Sequence, residues 1–198
     1  MRLLKFSTCA CLLALLLCAK ALSAEPASAA KQAEPPKVGD KAPDFSLDSV
    51  REVTVKLSKL TEKGNVVLVV LRGYPGYQCP ICSRQVGELL KHADELAKTG
   101  AQVVLVYPGP SDLLKERAKE FIADRTIPKH FHMLLDPDYK FTKAYGLRWD
   151  APRETAYPAT FVIARDGKVR YAKISKSHGG RAPVKEVLEA VKTTADAA

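Results

Sequence analysis

The chain has 198 residues, of which 46% are hydrophobic, so it is long enough to bury a core and its size suits one globular domain. Its 31 basic and 22 acidic residues give a net charge of +9, and the basic residues are spread along the chain rather than clustered. Mixed-sign stretches such as Lys115-Glu116-Arg117 indicate solvated helix faces, which argues against a nucleic-acid partner.

The N-terminal residues have the layout of a signal peptide. Arg2 and Lys5 give a positive start, and residues 8–19 are an almost wholly apolar run that is too short to span a bilayer comfortably. We predict a signal peptide over residues 1–24, cleaved somewhere between about residues 21 and 30. This predicts export to the periplasm or another extracytoplasmic compartment, with membrane tethering as the alternative if the leader is not cleaved.

A change of composition marks the start of the domain. Residues 25–37 are rich in Ala, Pro, Glu and Lys and predict a disordered tether, so we expect the domain over residues 38–196. Period-two alternation at residues 53–57 then predicts a half-buried strand. The apolar run at residues 66–71 predicts a strand covered on both faces.

After this strand the apolar period becomes helical. Apolar residues recur at helical spacing from Ile81 to Ala97, and Gly100 stands where a helix end favours positive φ. The later elements, in chain order, are a strand at 103–107, a turn at 108–110, a helix from its N-cap Ser111 to about Arg125, a strand at 131–135, a short helix ending at Gly146, a hairpin of strands 159–164 and 168–174, and a last helix from Pro183. Alternating strands and helices predict a parallel sheet with right-handed crossovers.

Only two cysteines are expected in the mature chain. Cys9, Cys11 and Cys18 lie in the predicted leader, which leaves Cys79 and Cys82. A disulfide between residues this close would close a very small loop and restrain the unfolded chain little. We therefore predict a chemical rather than a structural role for the pair.

Cys79 and Cys82 lie on either side of a predicted helix start. Unpaired backbone N–H groups there favour a thiolate at Cys79, and Pro80 suits the first helical position. Cys82, about one turn further on, is close enough to attack a sulfur bound to Cys79, which predicts a nucleophile and a resolving thiol. Arg72 and Arg84 either favour the thiolate or are only solvated side chains.

A proline before an apolar strand is the second candidate signal. Pro158 fits the first residue of a strand, which requires no special role. The alternative is a cis Tyr157–Pro158 peptide, which would turn the backbone just before Pro158 towards the disulfide to pair with a bound thiol partner.

The order of these elements resembles the thioredoxin fold and, in detail, its AhpC/TSA peroxiredoxin-like family. The resemblance covers about residues 38 to 193 and rests on VGDKAPDFSL at 38–47, LSKL at 57–60 before VVLVV at 66–70, and FVIARDGKV at 161–169. It implies an α/β fold with a central mixed sheet flanked by helices and an added N-terminal β-strand or hairpin, and it favours cis-Pro158. It also implies reduction of peroxides or disulfides with an external thiol reductant and without a cofactor, and it leaves a homodimer open.

The chain departs from the peroxide-binding motif of that family, Pro-x-x-x-Thr-x-x-Cys. The threonine position is Gly76 when counted back from Cys79, and it is Cys79 itself when counted back from Cys82. The arginine that the family brings from a later strand has no counterpart at residues 156–159. The resemblance therefore predicts peroxide reduction, whereas the CxxC pair predicts thioredoxin-type disulfide exchange, and both remain open.

Metal binding is the alternative to a redox function for the cysteine pair. Two thiolates supply half of a tetrahedral zinc site, but there is no second CxxC and the histidines are scattered. His178 is the loop histidine that a copper-delivery module would bring to the cysteines, but the composition of its loop favours an ordinary surface turn. We predict no metal.

Overall fold

The computed structural model describes residues 33–74 and 78–196. The predicted signal peptide lies outside these ranges, as does the first part of the predicted tether. The last part of that segment, residues 33–37, is described and includes the buried Pro36. In the described part of the chain, no helix is long and apolar enough to cross a membrane.

The described residues form a mixed five-stranded sheet flanked by helices, with a small hairpin before it. In chain order the elements are β1 (Ser46–Asp48), β2 (Thr54–Lys56), α1 (Leu57–Thr61), β3 (Val66–Val70), α2 (Pro80–Lys91), α3 (Ala93–Lys98), β4 (Gln102–Gly109), α4 (Leu114–Ile122), β5 (Phe131–Pro137), α5 (Lys140–Ala144), β6 (Ala159–Ile163), β7 (Val169–Ile174) and α6 (Val184–Asp196). The strand order is β5-β4-β3-β6-β7, in which β3, β4 and β5 run parallel while β6 and β7 pair antiparallel.

This architecture agrees with the predicted fold class. β1 and β2 form the added antiparallel hairpin at the N terminus, and the sheet combines parallel and antiparallel pairs. The Asp-Gly signal at residues 166–167 lies between the paired strands β6 and β7, where Gly167 has a φ of +79°. Glycine is favoured at that position because it adopts a positive φ without a steric penalty.

β3 is the central strand and carries the segment that leads to the cysteines. All five of its residues are buried, because β4 and β6 cover its edges and a core lies on each face. Val67 and Val69 pack in the core that contains the two cysteines, and Val66, Leu68 and Val70 pack in the other. A strand buried on both faces needs a continuous apolar run, which is why this element was predictable from sequence.

The prediction of a turn at residues 108–110 is wrong for the first two of these residues. Pro108 and Gly109 continue β4 and pair with Asp136 and Pro137 of β5. β4 pairs with β3 only as far as Val106, so a proline beyond that point interrupts no central ladder.

The predicted helix boundaries also need correction. Ser111 is not an N-cap, because α4 begins after Leu113, which has a φ of +57°, and the Ser111 N–H donates to Asp138 Oδ1 at 3.0 Å. The single helix predicted from Ile81 is divided into α2 and α3 at His92, whose φ of −104° and ψ of 17° leave the helical region. The apolar positions of both segments still pack in one core.

The chain that leaves β3 takes a left-handed backbone conformation at Gly73. Its φ is +63°, and the N–H of Tyr74 donates to the carbonyl oxygen of Pro108 at 3.3 Å. A Cβ at position 73 would overlap that same oxygen. Glycine is therefore required both for the backbone conformation and for the close approach of two chain segments.

We expect Gly73→Ala to be more destabilising than Gly100→Ala. Gly100 also has a positive φ, of +72°, but a Cβ there meets nothing within 4 Å. Gly100→Ala should lower the free energy of unfolding by about 1–2 kcal/mol, the cost of the left-handed conformation. The overlap with Pro108 should add about 1–3 kcal/mol in Gly73→Ala.

Urea unfolding of the two reduced variants measures this difference. Equal losses in the two variants would show that the contact with Pro108 is not a constraint.

Candidate active site

Cys79 is the N-cap residue of α2, and Pro80 is the first residue of the helix. Cys79 has an extended backbone, with φ −73° and ψ 111°, and its Sγ accepts a hydrogen bond from the N–H of Cys82 at 3.3 Å. A sulfur atom therefore occupies the place that a serine or aspartate oxygen takes in an ordinary N-cap. The helix N terminus stabilises negative charge on that sulfur.

The residue before the pair fixes the start of this helix. The Tyr107 hydroxyl donates to Gln78 Oε1 at 2.8 Å, and Gln78 Nε2 donates to the carbonyl oxygen of Arg117 at 3.0 Å. Gln78 thus links the active-site segment to β4 and α4. Cys79 and Cys82 are both buried, with 3% and 0% exposure, so the site lies inside the protein rather than on its surface.

Arg181 brings a guanidinium group to both sulfur atoms. Its Nη2 lies 3.2 Å from Cys82 Sγ and 3.7 Å from Cys79 Sγ. Nη1 of the same side chain donates to Gln85 Oε1 at 3.1 Å, and Nε donates to the carbonyl oxygen of His178 at 3.3 Å. The group is held by α2 on one side and by the loop before α6 on the other.

These contacts separate the pKa values of the two thiols. The hydrogen bond from the Cys82 side chain, the backbone N–H of Cys82 and the charges of Arg181 and Arg72 lower the pKa of Cys79 to about 5, against the opposing effect of burial. The hydrogen bond to Cys79 and burial raise the pKa of Cys82 far above the ordinary thiol range. The two shifts favour the thiolate at Cys79 and the protonated thiol at Cys82.

Arg72 supports the site through its backbone and its charge. Its N–H donates to Cys82 Sγ at 3.3 Å, and its Nε donates to Glu154 Oε2 at 2.7 Å in an ion pair whose side chains are 10% and 12% exposed. The other oxygen of Glu154 lies 2.9 Å from His178 Nε2. Removing one partner from such a buried pair leaves an uncompensated charge, so this network fixes the segment after β3.

The other predicted site residues, Arg84, Tyr157 and Pro158, make their described contacts with groups other than the two sulfur atoms. Arg84 is exposed on α2, and neither sulfur is among its contacts in the described part of the chain. Tyr157 stacks on Trp149 with ring centroids 4.9 Å apart, and its N–H already donates to the Leu147 carbonyl oxygen at 2.8 Å. The carbonyl oxygen of Pro158 accepts from the Ser175 N–H at 2.8 Å. A cis peptide at Pro158 stays a prediction.

His178 belongs to the Glu154 network rather than to a cluster with the cysteines. Its ring also lies 5.2 Å from the ring of Trp149. Among residues 33–74 and 78–196, no three His, Cys, Asp or Glu side chains come together as a metal site. Gly76, one of the two candidates for the family's threonine position, lies outside the described residues.

Sequence reasoning missed Arg181 and Glu154. Arg181 is separated from Cys82 by 99 residues, and Glu154 is separated from Arg72 by 82. The one local signal for Arg181 is its place after Gly179-Gly180, in the loop that precedes the last helix. The sequence pattern singles out His178 in that loop and gives no reason to choose its arginine.

Comparison with known proteins places the chain in a family of thiol redox proteins. Residues 37–191 match the Redoxin family. Peroxiredoxin Bcp of Escherichia coli K12 is 29% identical over 144 residues, covering 69% of this chain and 85% of that protein. Thiol-disulfide oxidoreductase ResA of Halalkalibacterium halodurans is 24% identical over 159 residues, covering 80% of each.

A solved structure supports the fold independently. Peroxidoxin BcpB from Mycobacterium tuberculosis superposes with a TM-score of 0.62 at 23% identity, covering 80% of this chain and 97% of that one. The expected thioredoxin-like fold and the expected class, a thiol-dependent oxidoreductase with a CxxC pair, are confirmed. The chain belongs to the Redoxin family.

Proposed function

We propose that this protein reduces peroxides through a Cys79–Cys82 dithiol cycle and is restored by an external thiol. The observation that carries the proposal is a buried, low-pKa Cys79 whose sulfur shares one guanidinium group, that of Arg181, with the sulfur of Cys82. A thiolate is the reactive form of cysteine, and this arrangement supplies one at neutral pH.

The proposed cycle has three balanced steps. The Cys79 thiolate attacks one oxygen of ROOH and breaks the O–O bond, which gives a sulfenic acid and, after a proton is taken up, ROH. Cys82 then attacks the sulfenic sulfur, releases water and forms the Cys79–Cys82 disulfide. An external dithiol reduces this disulfide, becomes a disulfide itself and returns both protons and both electrons.

The electrostatics favour this order of attack. While Cys79 is a thiolate, its hydrogen bond and its negative charge both keep Cys82 protonated. Oxidation of Cys79 to a neutral sulfenic acid removes that charge, so the pKa of Cys82 should fall. Arg181, 3.2 Å from Cys82 Sγ, then stabilises the second thiolate. One arginine serves both nucleophiles in turn.

Two features favour a small oxidant over the disulfide of a folded protein. Cys79 is only 3% exposed, which restricts the approach of a bulky partner. The backbone N–H before Pro158, which would pair with a bound thiol partner, is already donated to Leu147. The second candidate function is thioredoxin-type disulfide exchange, and the specific observation in its favour is the CxxC pair at the start of a helix.

We also propose that the mature protein acts outside the cytoplasm. The support is the leader pattern of residues 1–24 in the sequence. Expression of the full chain with a C-terminal tag in a Gram-negative host should give a shortened periplasmic product whose N terminus lies between about residues 21 and 30. An intact N terminus on a cytoplasmic product would contradict export.

Peroxide turnover distinguishes the two candidate functions. The reduced wild type should consume cumene hydroperoxide or hydrogen peroxide at least about a hundredfold faster than a free thiol, because its thiolate is pre-formed and Arg181 lies where it can stabilise charge that develops in the transition state. Cys79→Ser should lose this activity. Cys82→Ser should react once and accumulate a sulfenic acid on Cys79, detectable by dimedone labelling and mass spectrometry.

Reduction of insulin disulfides by the same preparation provides the comparison. Rapid insulin reduction with peroxide consumption no faster than that of a free thiol would replace the peroxide proposal with disulfide exchange. Peroxide turnover retained in Cys79→Ser would overturn the assignment of the nucleophile.

Arg181→Met should raise the pKa of Cys79, because loss of a neighbouring positive charge disfavours the thiolate. The wild-type thiolate absorbance at 240 nm should titrate with a midpoint of about 5, and the midpoint of the variant should lie higher. The rate of peroxide reaction should fall by about a hundredfold. Arg170→Met is the matched control, since Arg170 is exposed on β7 and pairs with Asp166 instead.

An unchanged midpoint in Arg181→Met would show that the hydrogen bonds from Cys82 and the charge of Arg72 stabilise the thiolate without Arg181.

A further inference from the structure

A cavity lies at the other end of the sheet from the cysteines. Cys79 follows the C-terminal end of β3, whereas this cavity opens beside the N-terminal part of β5, which is level with the start of β4. Its volume is about 300 Å³, at the lower limit of the range that holds small-molecule ligands. It lies between the loop that joins β1 to β2, helix α1 and the connection from α4 to β5.

One wall of this cavity is held in place by internal hydrogen bonds. The hydroxyl of Ser49 accepts from the N–H groups of Arg51 and Val53, each at 3.2 Å. The Val50 N–H donates to the Met133 carbonyl oxygen at 3.0 Å, which ties the loop to the edge of β5. The cavity is thus formed before any ligand arrives, and binding needs little ordering of the loop.

The floor of the cavity is apolar. Leu60, Phe131 and Met133 are buried and contribute to it, and Ile127 is half-buried beside them. Val53 extends the apolar surface to the mouth, where it is 59% exposed.

The rim is positively charged. The lining includes the basic residues Arg51, Lys56, Lys59, Lys63, Lys129 and His132, and no acidic residue lines the cavity in the described part of the chain. Lys56 and Lys59 pair with Asp44 and Glu62. Lys63 and Lys129 have no acidic partner among the described residues, so their charge is available to a ligand.

The pKa of His132 is affected by the same basic side chains. Burial and the charges of Lys63 and Arg51, together with His130, lower the pKa of His132. Its Nε2 lies 3.1 Å from Gln102 Oε1. A bound anion would oppose the effect of the neighbouring cations and raise that pKa.

We propose that this cavity binds a small amphipathic anion, an aliphatic carboxylate of medium chain length. The hydrocarbon chain lies against the floor of Leu60, Phe131 and Met133, and the carboxylate lies among the basic side chains of the rim. Both halves of such a ligand are needed: apolar burial supplies attraction without direction, and the lysines fix the charged end. The site is separate from the Cys79–Cys82 cycle and does not depend on it.

Calorimetric titration of the whole reduced protein with decanoate tests the proposal. Decanoate should bind at least about tenfold more tightly than either decanol, which lacks the charge, or acetate, which lacks the chain. Lys63→Gln with Lys129→Gln should weaken decanoate binding about tenfold and leave decanol binding unchanged. The matched control is Lys98→Gln with Lys185→Gln, which makes the same charge change at exposed positions outside the cavity.

Two further measurements test whether decanoate binds inside this cavity rather than elsewhere on the protein. Ile127→Trp should fill the cavity and abolish binding while peroxide turnover stays unchanged, and thermal unfolding shows that the variant is folded. NMR titration of His132 should show its pKa rise when decanoate is bound. Equal affinity for decanoate and decanol, equal losses in both double variants, or no detectable binding by the wild type would each overturn the proposal.

Discussion

A buried thiolate needs hydrogen-bond donors and a compensating positive charge, because an unpaired charge away from water is strongly unfavourable. Cys79 is 3% exposed and has a pKa of about 5, so the protein meets this requirement inside its core. The donors are the backbone N–H and the side chain of Cys82 together with the guanidinium of Arg181. They come from the start of α2 and from the loop before α6. The charge on one sulfur therefore dictates how these two distant parts of the chain must meet.

The same requirement explains the surrounding network. Arg72 donates its backbone N–H to the second sulfur, and its side chain is neutralised by Glu154 in a largely buried ion pair. Glu154 in turn holds His178, and the carbonyl oxygen of His178 accepts from Arg181. The polar groups form a closed chain of contacts that begins and ends at the sulfur pair. Satisfied polar networks of this kind specify one arrangement of loops, whereas a partly satisfied network would be costly.

The fold keeps two different chemistries at opposite ends of the sheet. The thiol chemistry lies beyond the C-terminal ends of the parallel strands, where Gly73 lets the segment after β3 approach the end of β4. The basic-rimmed cavity lies near the N-terminal ends, behind the hairpin that covers the edge of β5. Covering an edge strand prevents unwanted pairing with another chain, and here the covering loop also builds one wall of a binding site. Positive charge is thus present at both ends of the sheet, as the half-buried Arg181 beside the sulfurs and as the basic side chains around the cavity.

The sequence alone determined the elements whose signals lie within a few neighbouring residues. The apolar run of β3, the CxxC pair at a helix start and the Asp-Gly hairpin were all predictable, because periodicity and turn chemistry are local properties. Long-range contacts overrode such signals at Pro108, which pairs with β5, and at Ser111, which binds Asp138. Only the tertiary structure decided which arginine side chain contacts both sulfurs, since Arg181 is 99 residues from Cys82. The electrostatic stabilisation depends on the distance in space between charged groups that folding brings together. That distance cannot be read from their separation along the chain.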